Sequence, residues 1–117
     1  MASVLVVDDQ PLARHAVSAL IRSSVGFELV GTAASGADAI EHALRLRPDL
    51  VVMDVRMPGL DGIETTRRLV AELPGLRVVL TSSDRARDLP ADLDRCGALG
   101  FISKQDLTAE GLAELLG

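Results

Sequence analysis

The chain of 117 residues has no tryptophan or tyrosine, two phenylalanines and one cysteine. With Phe27 and Phe101 as its whole aromatic inventory, it offers little surface for stacking nucleobases or a flavin ring. The lone Cys96 excludes a disulfide scaffold and any multi-cysteine metal site, and reads as a small buried apolar side chain. Long apolar runs are missing too. Val4–Val7 and Leu50–Met53 fall far short of the roughly 18 to 20 residues that span a bilayer, so no membrane association is expected. No basic leader precedes Asp8 and Asp9, so a secretory signal is not expected and the cytoplasm is the expected location. The net charge of −5 comes without a basic cluster, so direct nucleic-acid binding is not expected of this chain either.

What is present is a foldable composition. Hydrophobic residues make up 48% and charged residues 25%, which is outside the signature of disorder and enough for one core in a single domain spanning residues 1–117. Short runs rich in Val and Leu alternate with stretches of helical period, the pattern of βαβ units around a parallel sheet. Strands are expected near 3–8, 27–33, 50–54, 77–82 and 99–103. The first, third and fourth should be the most buried, and the third is apolar on both faces. Pro11 suits the first turn of a helix whose inner face would be Leu12, Ala16, Ala19 and Leu20. A second helix starts near Ser35 with Ala37, Ile40, Ala43 and Leu44 inward, and Pro48 lies beyond its end. A third starts near Asp61, with Ile63, Thr66, Leu69 and Val70 inward and Pro74-Gly75 as its stop. A shortened fourth is expected from Pro90 to Cys96, and a fifth from Leu107 to Leu116. This alternation predicts an α/β, doubly wound, five-stranded parallel sheet of order 2-1-3-4-5, with a ligand crevice at the carboxyl ends of strands 1 and 3.

The residues at those strand ends are polar: Asp8 and Asp9 after strand 1, Asp54 after strand 3, Thr81 and Ser82 after strand 4, and Lys104 after strand 5. Each alone has a bland explanation, such as a helix N-cap or a solvated lysine. An N-cap accounts for one of two adjacent aspartates, however, and not for a third carboxylate on the neighbouring strand. Each carboxylate pair at 4 Å costs on the order of 4 kcal/mol at an effective dielectric of 20, so positive charge must compensate. Lys104 supplies one charge, and an all-oxygen donor set favours a hard divalent cation such as Mg²⁺. A carboxylate beside Mg²⁺ and an ammonium, with the hydroxyl of Ser82 or Thr81 near by, is arranged to attack phosphorus and form an aspartyl phosphate.

Three segments carry a resemblance: Val-Val-Asp-Asp at 6–9, Val-Met-Asp-Val-Arg-Met-Pro-Gly-Leu-Asp-Gly at 52–62, and Gly-Ala-Leu-Gly-Phe-Ile-Ser-Lys at 97–104. Together the chain resembles the receiver domain of two-component response regulators, in particular those joined to helix-turn-helix transcription factors. The resemblance implies a flavodoxin-like fold and phosphorylation of Asp54 by a sensor histidine kinase or a small phosphodonor. It also implies Mg²⁺ held by Asp8, Asp9, Asp54 and the carbonyl of Arg56, with Lys104 contacting the phosphoryl group. Ser82 matches the switch hydroxyl when counted without gaps, although a strand ending at Thr81 would put Thr81 there, and Phe101 matches the aromatic switch position. The domain would catalyse only its own phosphorylation and dephosphorylation. Homodimerisation on phosphorylation and a DNA-binding output domain in a longer parent protein are the expected consequences. Gln105 follows Lys104 where many receivers have proline, so a trans and looser loop is expected there. Arg56 and Asp84 would border the attacking water.

Three alternatives belong to other classes. A degenerate receiver acting as a phosphorylation-independent dimerisation or docking module would be expected to have lost an acidic or lysine position, and here all are present. A haloacid-dehalogenase-like phosphatase would need a second aspartate where Arg56 stands. A flavin carrier would lack its aromatic platform. His15 and His42 read as surface or boundary residues, Arg67 and Arg68 as a solvated face, and Gly59 and Gly62 as a tight loop that needs positive φ.

Overall fold

A computed structural model of the chain describes residues 1–83 and 89–117. Strands β1 (Ala2–Val7), β2 (Phe27–Ala33), β3 (Leu50–Asp54), β4 (Arg77–Ser82) and β5 (Gly100–Ser103) alternate with helices α1 (Pro11–Arg22), α2 (Gly36–Leu46), α3 (Gly62–Glu72) and α4 (Ala109–Leu116). The strands form one parallel sheet of order β2-β1-β3-β4-β5. This is the order expected from the alternation.

Side chains of successive strand residues point to opposite faces, so each inner strand feeds two cores. Leu5, Val7, Val51, Met53, Val78 and Leu80 pack on one face with Ala39 and Ala43 of α2 and Ile63 and Leu69 of α3. Val4, Val6, Leu50, Val52 and Val79 pack on the other with Val17 and Ile21 of α1 and Leu112 of α4. All five residues of β3 are buried as a result. At about 1.5 to 3 kcal/mol for each fully buried aliphatic side chain, these strands supply much of the driving force for folding.

Two helices are rotated from their expected faces. In α1, Leu12 is 87% exposed, Ala16 and Ala19 are also exposed, and the buried residues are Val17, Ser18 and Ile21. In α2, Ala37 and Leu44 point outward while Ala39 and Ala43 are buried and Ile40 packs at the core's margin. Both helices carry apolar residues over about half of their circumference, a wider arc than the sheet can cover. The choice falls to the pair spaced by four that fits the sheet, Val17 with Ile21 and Ala39 with Ala43. In α3, Ile63, Thr66 and Leu69 are buried and Val70 packs against them as expected.

The expected fourth helix is also different. Between Pro90 and Cys96 the described chain forms one 3₁₀ turn, Leu93–Arg95, and no α-helix. Pro90 fixes its own φ and Gly97 has φ +97°, so the intervening segment is too short to repay helix nucleation. Cys96 is buried and its thiol donates to the carbonyl of Leu93 at 3.2 Å. The last helix begins later than Leu107 because Thr108 caps it, its hydroxyl oxygen accepting from Gly111 N at 3.0 Å. No described helix is long and apolar enough to cross a membrane.

Candidate functional site

The strand ends are fixed by main-chain bonds that cross the sheet. Asp8 N donates to the carbonyl of Ala33 at 3.1 Å and Val55 N to that of Thr81 at 2.9 Å. The turn after β3 closes where Gly62 N donates to the carbonyl of Val55 at 2.9 Å. Gly62 then starts α3 directly behind Asp54. A Cβ on Gly62 would lie 2.2 Å from the Asp54 carbonyl oxygen, so only glycine allows this approach. Positive φ, expected at both loop glycines, is found at Gly59 (φ +75°) and not at Gly62. Only the packed backbone reveals the second requirement.

These bonds bring the predicted carboxylates together. Asp8, Asp9 and Asp54 each place a carboxylate oxygen within 4.8 Å of the other two. Asp8 and Asp54 are buried and Asp9 is half-buried. Lys104 Nζ reaches into the group, 2.8 Å from Asp8 Oδ2 and 3.5 Å from Asp54 Oδ1. It is the only lysine in the chain. Asp8 is held further by Gln10 N, which donates to its Oδ1 at 3.0 Å, and its carbonyl accepts from Arg14 Nη1 at 2.8 Å.

The electrostatics follow from this crowding. Burial pushes the Asp54 carboxyl up to about 6, and the neighbouring Asp8 charge adds to the rise against the opposing pull of Lys104. Burial alone would lower the Lys104 amine, but its bond to Asp8 and the charges of Asp54 and Asp8 outweigh that and hold it above the ordinary lysine value. The ammonium is therefore fixed beside two carboxylates. Three carboxylates and one ammonium still leave a negative excess, and the donor set is all oxygen. Such a set fits a hard divalent cation of the Mg²⁺ type.

The other predicted residues fall around this notch. Ser82 ends β4 and is buried, whereas the buried Thr81 turns its hydroxyl to the carbonyl of Met53 at 3.4 Å. Phe101 on β5 is half-buried against the core that contains Leu80. Arg56 is exposed in the β3–α3 turn, and Asp84 lies outside the described residues. The peptide after Lys104 is trans, but the loop is not loose: Lys104–Asp106 form a 3₁₀ turn tied by Ser103 Oγ donating to Asp106 Oδ2 at 2.9 Å. His15 is exposed and His42 half-buried, both on helices away from the strand ends. Arg68 pairs with Glu64, and Arg67 pairs with Glu64 and Asp92, all at the surface.

The family model described as the response regulator receiver domain matches residues 4–115. The chain is a response regulator receiver domain. It is 38% identical to the response regulator GacA of Pseudomonas viridiflava over 116 residues, 99% of this chain and 52% of that protein. It is also 35% identical to a protein-glutamate methylesterase/protein-glutamine glutaminase of Syntrophus aciditrophicus, over 93% of this chain and 32% of that protein. A two-component response regulator of the LuxR family from Aurantimonas superposes with a TM-score of 0.88 at 30% identity, covering 100% of this chain and 86% of that one. The flavodoxin-like receiver fold is thus shared in full. The receiver spans about half the length of the GacA relatives it matches.

Proposed function

We propose that this receiver is a phosphorylation switch whose phosphoacceptor is Asp54. The observation that carries this reading is the Lys104 ammonium lying between Asp8 and Asp54, 2.8 Å from one and 3.5 Å from the other. It neutralises the notch just enough for a buried carboxylate to stay ionised near neutral pH. Asp54, with a pKa of about 6, has a free carboxylate above that pH.

In the proposed step a carboxylate oxygen of Asp54 attacks the phosphorus of a phosphohistidine on a sensor kinase, or of acetyl phosphate. The new O–P bond forms as the bond from phosphorus to the donor's nitrogen or oxygen breaks, and the departing group keeps that electron pair. The Lys104 ammonium offsets charge on the transferred phosphoryl oxygens. The hydroxyl of Ser82 or of Thr81 donates to another of those oxygens. Asp8, Asp9, Asp54 and, by family resemblance, the carbonyl of Arg56 would hold Mg²⁺, which when bound supplies further positive charge at the phosphoryl group. Water later cleaves the aspartyl phosphate, so the net chemistry is self-phosphorylation and self-dephosphorylation.

The response follows on the β4–β5 side. Ser82 moves toward the phosphoryl group and Phe101, half-buried before the event, turns inward, shifting an equilibrium between two arrangements. A DNA-binding output domain in a longer cytoplasmic parent, and a homodimer on phosphorylation, are the matching readouts. The test is mass spectrometry after incubation with acetyl phosphate and Mg²⁺. One phosphoryl adduct is expected, absent from Asp54→Asn. No adduct, or one that persists in Asp54→Asn, refutes the assignment.

A further inference from the structure

The Lys104 ammonium acts far from where its main chain is anchored. Lys104 follows β5, whereas Asp54 ends β3, two strands across the sheet at roughly 4.8 Å per strand. The charge rides on a flexible four-carbon stem, so a small rotation of the Lys104 main chain becomes a large displacement at the tip. A misplacement of about 1 Å at a reacting centre can cost on the order of a hundredfold in rate. Whatever fixes that main chain therefore bears on the notch.

The turn itself does little to fix it. Lys104–Asp106 contain no buried residue, and the residue after Lys104 is Gln105, whose φ no ring restricts. The main-chain bond that closes the turn, from Leu107 N to the carbonyl of Lys104, is 3.4 Å, beyond the usual range of about 2.7 to 3.2 Å. The short contact is between side chains. Ser103 Oγ donates to Asp106 Oδ2 at 2.9 Å, a bond to a charged acceptor whose two ends bracket Lys104. Ser103 precedes the turn and could accept one of its N–H groups, yet its hydroxyl donates to Asp106 instead. Asp106 is not needed to start α4, which Thr108 caps. Among the described residues Lys104 pairs with Asp8 and Asp54, and Asp106 makes no ion pair with it. The Asp106 carboxylate thus holds the chain around Lys104 without competing for its charge.

We infer that Asp106 is a positioning residue of the notch: through Ser103 it clips the Lys104 main chain in place, so that the ammonium stays between Asp8 and Asp54. Ser103 also lies beside Ser82 in the β4–β5 register, so the clip sits at the strand end that carries the proposed response. The inference rests on the phosphoacceptor reading for its effect on rate, but not for its effect on the Lys104 side chain.

The test joins two measurements on the full chain. With ¹³C-labelled lysine, Lys104 gives one set of side-chain signals, because it is the only lysine. In metal-free buffer its two ε protons should be resolved in the parent and in Asp106→Asn, which keeps an acceptor for the Ser103 hydroxyl, and should merge in Asp106→Ala. With acetyl phosphate and saturating Mg²⁺, adduct formation should slow about fivefold in Asp106→Ala and in Ser103→Ala, the effect of losing one hydrogen bond. The double variant should also slow about fivefold, since both substitutions break the same bond. Asp106 is exposed, so the melting temperature should hardly move. Resolved ε protons in Asp106→Ala, merged ones in Asp106→Asn, or single effects that multiply in the double variant overturn the proposal. A parent that takes up no phosphoryl group overturns the phosphoacceptor reading alone, and the lysine spectrum then decides the clip.

Discussion

At the centre of the sheet every residue of β3 is buried, whereas at its edge all four residues of β5 are half-buried and the segment before it makes a single 3₁₀ turn. The first region carries Asp54 and stands beside Asp8, so its carboxylates are placed by packing on both faces. The second carries Phe101, and fewer buried contacts oppose its movement. Segments of low local stability are where conformational responses are drawn from. On the proposed function, the contrast puts chemistry and response in different halves of one sheet. Lys104 joins them: it follows β5 in the chain, yet its amine is fixed in the notch.

The largest expected effect comes from cutting that link. Lys104→Met leaves Asp8 and Asp54 as buried carboxylates without a cation, and should cost about 3 kcal/mol at neutral pH, read by urea unfolding. A smaller loss would mean that the notch admits enough water to screen itself. A paired substitution sharpens the comparison between the two halves. Gly62→Ala drives a Cβ against the Asp54 main chain and should cost about 2 to 3 kcal/mol, whereas Gly100→Ala meets only the end of the Leu115 side chain and should cost less than about 1.5 kcal/mol. Equal losses would break the distinction between a rigid and a pliant half.

The pH dependence gives an effect of intermediate size. Asp54 has a pKa of about 6 in place of 3.8, so its protonated form is favoured by folding. That contribution is fully present below about pH 4 and is lost as pH rises through about 6. In the absence of divalent cations, Asp54→Asn should therefore gain about 2 kcal/mol on the parent between pH 4 and pH 7, measured as the difference between their unfolding curves. A constant difference across that range would show that Asp54 is not held in a costly environment. The smallest effect is expected at Arg67→Ala, which breaks surface pairs with Asp92 and Glu64 and should leave the melting temperature within experimental scatter.

The sheet and its acidic edge were legible in the sequence for one physical reason. Strands covered on both faces read as continuous apolar runs, and the polar residues that end such runs must lie at one edge. Asp8, Asp54 and Lys104 each end such a run and so lie at that edge. The faces of α1 and α2 could not be read, because alanine-rich helices spread apolar residues over a wide arc and only the sheet selects Val17 with Ile21 or Ala39 with Ala43. Gly62 does not take the positive φ that its loop suggests, and its close approach to Asp54 arises only when the loop is packed. The segment from Pro90 to Cys96 was not legible, because a proline can open a helix or break one, and only the packed chain shows a single 3₁₀ turn ending before Gly97 at positive φ.

The most direct test of the central claim, that the notch is an ammonium-balanced seat for a divalent cation, is a Mg²⁺ titration of the metal-free chain. Lys104 is the only lysine, so lysine-selective ¹⁵N labelling reports its main-chain amide as a single signal. The account predicts a saturable shift of that signal with Mg²⁺, abolished in Asp9→Asn. No saturable shift, or the same shift in Asp9→Asn, would contradict it.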